Sequence, residues 1–412
     1  MNKSIESKPA LAITVSDVRG LAQAGFDAAV GITDLVEAVH HTIVRRAGVF
    51  RPALQGRTTG VTRLVYRSVR GTMRLVGGGL NAVLGAFDDA GRSARSAPGR
   101  EAVLAILNGV WGDYLADSGN PLAIEMSLRE TREPLDLTGD LASQISEPRA
   151  RIVVLVHGLC MSEAPWRHHG RQLAALGYTP LYLRYNSGRH VSHNGRDFSE
   201  LLERLCVQWP VPIQEMAIVG HSMGGLLARS ACHHANSAKH RWRRKLTRLV
   251  FLGTPHHGAV LERGGHLVDR LLRLSPYAAP FVRLGAARSA GITDLRFGNL
   301  RDEDWAGRSA LKQTRDRRFP TPLPAGVDAF MIAAALGGRA RPLRYDLIGD
   351  GLVPLASALG QHPDRAHALR VPPSKLRVFH RANHWDLLRR PDVGAQLCAW
   401  LARPRRPRTG GG

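Results

Sequence analysis

Apolar residues follow two different periods along this chain, and the period changes near residue 117. From Val18, small or apolar residues recur as Val18, Ala22, Gly25, Ala29, Ile32, Val36, Val39 and Ile43, in steps of four and three. A second series of the same kind runs Val65, Val69, Met73, Val76, Leu80, Val83 and Phe87. Both stripes predict long amphipathic helices. The stretch 49–60, with Pro52, Gly56 and Gly60, predicts the turn between them, and Gly77-Gly78-Gly79 weakens the second helix. A third helix is predicted over 100–115, with Val103, Leu107, Val110, Trp111 and Tyr114 as its apolar face. Residues 1–116 are therefore expected to form a helical accessory region. It would pack on a neighbouring domain or a partner, or lie on a lipid or polymer surface with Arg63, Arg67, Arg70 and Arg74 on its wet side.

Beyond 117 the pattern belongs to strands. The stretches 123–128 and 134–137 predict an opening hairpin. Arg151-Ile-Val-Val-Leu-Val156 is a continuous β-branched run, as expected of a strand buried on both faces. A helix over 163–176, a strand over 179–185 and a helix capped by Asn194 and running to about 209 follow. A strand at 216–219 leads into a helix to about 234. The run 239–248 holds six Lys or Arg and predicts a solvated loop before a strand at 249–253. Residues 259–326 interrupt the alternation and are expected to form a cap or lid. Strands at 328–336 and 376–379 and a helix at 393–401 complete the series. Strands alternating with helices predict a doubly wound, mostly parallel α/β sheet. Its chemistry should sit at the carboxyl ends of the strands. The expected division is 1–116 accessory, 117–402 catalytic, and 403–412 a basic, glycine-rich tail without a core of its own.

Composition changes this picture in one respect. Apolar (44%) and charged (22%) shares are ordinary for a soluble domain, but 57 Lys+Arg against 34 Asp+Glu gives a net charge of +23. Such a field favours anionic surfaces. No basic stretch is interleaved with aromatics, so no nucleic-acid partner is expected. Cys160, Cys206, Cys232 and Cys398 form no CxxC pair and read as isolated thiols. The apolar stretch 10–15 ends at Asp17, too short for a signal sequence. The expected location is cytoplasmic, or peripheral to a membrane or to a lipid or polymer inclusion.

The candidate chemistry starts at Gly220-His221-Ser222-Met223-Gly224-Gly225, set between a predicted strand and a predicted helix. In that setting G-x-S-x-G is a nucleophile elbow, with Ser222 at its tip. A serine needs a base, and the base an orienting acid, in the chain order serine, acid, histidine. Gly349-Asp350-Gly351 presents Asp350, ahead of Asp346 and Asp328; Asn383-His384 follows the last strand and presents His384, ahead of His380. An oxyanion hole needs two backbone amides. Met223 would supply one and Leu159, in the loop after His157-Gly158, the other. Cys160 beside it is not required as a nucleophile.

Together His157-Gly158-Leu159, the elbow, Gly253-Thr-Pro-His-His-Gly258, Asp350-Gly-Leu-Val-Pro354 and Asn383-His384-x-Asp386 resemble the bacterial triacylglycerol lipase branch of the α/β-hydrolases. They are equally similar to the GPI-inositol-deacylase-like lipases, which share the Thr-Pro-His-His-Gly loop. The resemblance spans about 121–402. It implies an α/β-hydrolase fold and a serine ester hydrolase of lipid-like acyl esters, with Ser222, Asp350 and His384 as triad and Leu159 and Met223 as oxyanion amides. It implies no cofactor. Some lipases of the group hold a structural calcium at an aspartate matching Asp386, but the second aspartate has no match here, so none is expected. Two other readings fit the same motifs: a polyester (polyhydroxyalkanoate) depolymerase or thioesterase anchored by the N-terminal helices, and a non-catalytic hydrolase-fold binding protein.

Overall fold

Aliphatic runs without a polar interruption form the centre of the molecule. The computed structural model describes residues 98–259, 289–307, 316, 318–338 and 349–403. The helices expected over 18–43 and 65–87, the tail beyond 403 and most of the 259–326 insertion lie outside the described residues.

The first element is helix α1 (Pro98–Asp117), interrupted at Trp111 by non-helical backbone at φ −130 and ψ 21. Its stretch Glu101–Tyr114 belongs to the same compact unit as Ile124 onward, and Pro98–Arg100 and Leu115–Ala123 to a second. In the second unit the chain turns off the helix at Gly119 (φ +60), where the Asn120 amide donates to the Leu115 carbonyl. The remaining elements lie in the first unit. The apolar face expected of this helix is not the one observed: Leu104 to Val110 are buried without interruption, Asn108 included, whereas Tyr114 is exposed. Residues enclosed on all sides have no amphipathic signature to read.

Among the described residues seven strands follow: β1 (Ser127–Arg129), β2 (Arg151–Val156), β3 (Thr179–Arg184), β4 (Glu215–His221), β5 (Leu246–Leu252), β6 (Asp328–Ala335) and β7 (Leu376–His380). They form one sheet in the order β1-β3-β2-β4-β5-β6-β7, with β1 antiparallel to β3 and every other pair parallel. This is the α/β-hydrolase sheet expected from the sequence. The expected opening hairpin reduces to a single bridge between Arg129 and Pro134.

Period-two geometry deals each strand's side chains to two cores. Ile152, Val154, Val156, Met216, Ile218, Leu249 and Phe251 face one; Val153, Leu155, Ala217, Val219, Val250 and Leu252 face the other. The first core is closed by α3 (Val191–Gln208) through Phe198, Leu201, Leu202 and Leu205, and by α4 (Met223–Ala238) through Leu226 and Leu227. The second is closed by Leu173 of α2 (Arg167–Ala175) and, at the chain end, by Val393, Leu397 and Trp400 of the final helix (Pro391–Leu401). Each fully buried aliphatic side chain is worth about 1.5–3 kcal/mol, so both faces being covered outweighs the weak propensity of these short strands.

Register aligns the carboxyl ends: Val156 pairs with Gly220, His221 with Leu252, Leu252 with Ile332 and Ala335 with His380. The loops after β2, β4, β5, β6 and β7 therefore open on one edge.

Two local expectations are corrected. Asn194 does not cap α3, which begins at Val191; it is buried inside the helix and donates from Nδ2 to the Asn186 carbonyl at 2.8 Å. The basic run 239–248 is not a solvated loop throughout. Trp242–Lys245 is a helical turn, α5, and β5 already begins at Leu246. Arg248 is 2% exposed and pairs with Glu215 across the sheet. The Tyr178 hydroxyl donates to the same carboxylate at 2.6 Å, and Arg151 Nε donates to its other oxygen at 3.2 Å. A guanidinium enters a strand here because a carboxylate on β4 and a phenol on the segment before β3 await it.

Removing one partner of a buried pair leaves the other without compensation. Glu215→Ala is expected to cost roughly 3–5 kcal/mol, read as a lower urea midpoint by circular dichroism, whereas truncation of the exposed Val207 should leave the midpoint unchanged.

Candidate active site

Strand β4 ends at His221, and Ser222 leaves it at φ 54 and ψ −124, outside the regions open to ordinary L-residues. The turn is held because the Ser222 amide donates to the Leu252 carbonyl at 2.8 Å and α4 begins at once with Met223. Glycine is required on both sides of the serine. A Cβ on Gly220 would stand 2.6 Å from the Gly224 carbonyl carbon, and one on Gly224 would stand 2.5 Å from the Val156 carbonyl oxygen. The backbone of α4 thus touches the end of β2, and Ser222 comes to the tip, 5% exposed.

The same approach brings up the loop after β2. A Cβ on Gly158 would lie 3.1 Å from the Ser222 Cβ, so this glycine sits directly against the serine. Among the described residues, neither the Leu159 amide nor the Met223 amide has a hydrogen-bond partner. Both belong to buried residues, and buried backbone donors are rarely left unpaired. Their neighbours are tied down. Tyr185 Oη donates to the His157 carbonyl at 2.9 Å and its ring stacks on the His157 imidazole at 4.3 Å. The Cys160 amide donates to Ser187 Oγ at 3.1 Å. Burial lowers the His157 pKa to about 4, so that imidazole is neutral; its Nδ1 donates to the Gly158 carbonyl at 2.9 Å.

Asp350 and His384 meet. Asp350, 3% exposed, accepts the amides of Leu352 and Val353 at 2.9 and 2.8 Å on Oδ1. Its Oδ2 lies 2.6 Å from His384 Nδ1. A carboxylate only accepts, so Nδ1 carries the proton and Nε2 of the neutral ring keeps its lone pair. The His384 amide donates to the Asp350 carbonyl at 3.2 Å, a second tie between the same residues. The imidazole lies against Gly253, whose own Cβ would stand 3.0 Å from His384 Cε1.

The described rival residues are engaged otherwise. Asp328 opens β6 at the opposite edge and pairs with Lys375. His380 closes β7, its carbonyl accepting from Arg390 at 3.2 Å; Asp346 lies outside the described residues. Asp386 accepts the Asn383 amide at 2.8 Å and so closes its own turn. Among the described residues no group of three or more His, Cys, Asp or Glu is arranged to hold a metal ion.

Sequence reasoning missed the supporting residues Tyr185, Ser187 and His221. The signal was present for the first two, since Tyr185-Asn186-Ser187 follows a strand at the same carboxyl edge as the elbow.

Residues 147–279 match the family model of the PGAP1-like alpha/beta domain. Among curated proteins no sequence matches the chain. Similar solved structures include the mature form of the Bacillus licheniformis lipase BlEst2, 19% identical, covering 68% of this chain and 98% of that one with a TM-score of 0.41. An esterase of Pyrobaculum calidifontis is 18% identical over 63% of this chain and 76% of its own, with a TM-score of 0.38. An esterase from Exiguobacterium antarcticum is 15% identical over 62% and 94%, also at 0.38.

The close approach at the elbow carries a direct expectation. Gly224→Ala should destabilise the protein by about 1–3 kcal/mol, the usual cost of overpacking, as a lower thermal unfolding midpoint. The sheet topology is that of an α/β-hydrolase fold, and residues 147–279 within it match a PGAP1-like alpha/beta domain.

Proposed function

We propose that the protein is a serine carboxylester hydrolase acting on a lipid-like acyl ester. One conjunction supports this reading above all. At a single edge of the sheet stand a serine at positive φ, two backbone amides near it in the chain without a partner among the described residues, and an imidazole whose Nδ1 proton is held by a buried carboxylate.

In this reading His384 Nε2 takes the hydroxyl proton as Ser222 Oγ attacks the ester carbonyl carbon. The oxyanion is received by the amides of Leu159 and Met223, each such donor being worth roughly 3 kcal/mol in the transition state. The tetrahedral intermediate collapses with loss of the alcohol, which takes its proton from His384. A water deprotonated by the same imidazole then attacks the acyl-enzyme, releasing the acid and restoring Ser222. Asp350 keeps the ring in the tautomer that both half-reactions need. The lipid-like substrate follows the motif resemblance to lipases and the net charge of +23, which favours an anionic interface. A place at the surface of a membrane or lipid inclusion follows the same two features.

Cys160, next to Leu159 in the chain, is a competing nucleophile to consider. Burial pushes its thiol up to about 12. A raised thiol pKa favours the neutral form, so at neutral pH it is protonated and unreactive.

Two measurements test this. A fluorophosphonate probe should label the wild type and not Ser222→Ala, and Asp350→Asn should lower kcat by at least about a hundredfold; an unlabelled wild type, or a labelled Ser222→Ala, would sink the proposal. Iodoacetamide at pH 8 should leave p-nitrophenyl ester hydrolysis unchanged. A panel of these esters from acetate to palmitate should show rates rising toward the longer chains, and a preference for acetate would remove the lipid assignment.

A further inference from the structure

His221, the residue before the serine, is not used by the mechanism above, yet it is fully buried as the last residue of β4. Its ring lies 4.6 Å from the His384 ring, at 47°. Its Nε2 stands 3.2 Å from the His384 carbonyl oxygen. A carbonyl only accepts, so Nε2 carries the proton. Nδ1 is buried with no partner, facing the backbone of Gly158. Burial, with the neighbouring His384, holds this imidazole well below its usual pKa, as a neutral Nε2–H tautomer must be.

The geometry has a consequence for the base. The His384 backbone is held at both of its peptide groups: its amide by the Asp350 carbonyl and its carbonyl by His221 Nε2–H. Its side chain is held by Asp350 Oδ2 and rests on Gly253. Asp350 supplies two of these ties, and both come from the acid's loop. His221 supplies the one that comes from the nucleophile's own strand. We infer that His221 is a positioning residue for the proposed reaction, setting the distance between Ser222 and His384 by donating its Nε2 proton to the His384 carbonyl. This inference rests on the serine-hydrolase reading.

Side-chain lengths supply the test. Glutamine places its amide nitrogen as many bonds from Cα as histidine Nε2, whereas asparagine places its own at the reach of Nδ1. His221→Asn therefore loses the donor and His221→Gln keeps it. With p-nitrophenyl butyrate, His221→Asn should lower kcat about tenfold, the effect of one misplaced hydrogen bond, with KM unchanged. The rate of fluorophosphonate labelling should fall in parallel. His221→Gln should recover most of both losses, while the two variants unfold at similar temperatures. Two results would overturn the inference and leave the reading of the site intact: His221→Asn as reactive as wild type, or Asn and Gln variants equally impaired, which would assign His221 a packing role only. A wild type that neither labels nor turns over would remove the serine-hydrolase reading, and this inference with it.

Discussion

Everything at the active edge depends on one contact, the main chain of α4 resting on the carbonyls that end β2. Gly224 has no Cβ, so the helix starts within van der Waals reach of Val156 and His157. That contact brings the loop of Gly158 and Leu159 up against Ser222. It also forces Ser222 to φ 54, a conformation that costs of order 1–3 kcal/mol. The strain persists because β4 is paired on both sides and its residues 216–219 are fully buried. Several side chains at 1.5–3 kcal/mol each outweigh one strained residue, and the sheet thereby determines where the serine points.

Charge is arranged in the same economical way. A chain of net charge +23 nevertheless keeps several buried titratable groups uncharged. His157, His221 and His256 are all held neutral by burial, and Cys160 stays protonated for the same reason. Against that background Asp350 and His384 form a close carboxylate–imidazole pair at the serine's edge. The cationic excess, carried by side chains such as Arg365, Arg377 and Arg381 with accessible surface, acts at longer range, on what approaches.

The sheet was legible because its strands are buried on both faces, which leaves uninterrupted β-branched runs such as 151–156 that fit no other element. The proposed serine, acid and histidine stand out in the sequence because each sits beside a glycine or asparagine in a turn-forming stretch. Other features were hidden for physical reasons. Arg248 reads as solvated from its neighbours in 239–248, and only its pairing with Glu215, 33 residues earlier in the numbering, makes it a strand residue. Asn194 looks like a cap, yet its amide serves Asn186 from within the helix. Helix α1 gave a periodic face that does not exist, since Leu104 to Val110 are enclosed throughout.

That last case bears on what counts as the catalytic domain. A boundary drawn where the sequence pattern changes, at 116/117, removes Glu101–Tyr114 from the sheet domain. Yet a Cβ on Gly109 would stand 2.2 Å from the Cys160 sulfur, and one on Gly112 would stand 1.8 Å from Asn186 Oδ1. The Gly109 carbonyl accepts Ser289 Oγ at 2.7 Å, and Asp113 accepts the Ala290 amide at 2.8 Å. This stretch therefore backs the loop that carries the Leu159 amide, and it braces the segment that re-enters after the insertion. Cys160 itself stands at φ 57, a strained position that such backing can hold. The loop that carries the Leu159 amide is thus packed between two parts of the chain that the sequence pattern assigns to different domains. A sheet unit defined by its packing has to include Glu101–Tyr114 of this helix.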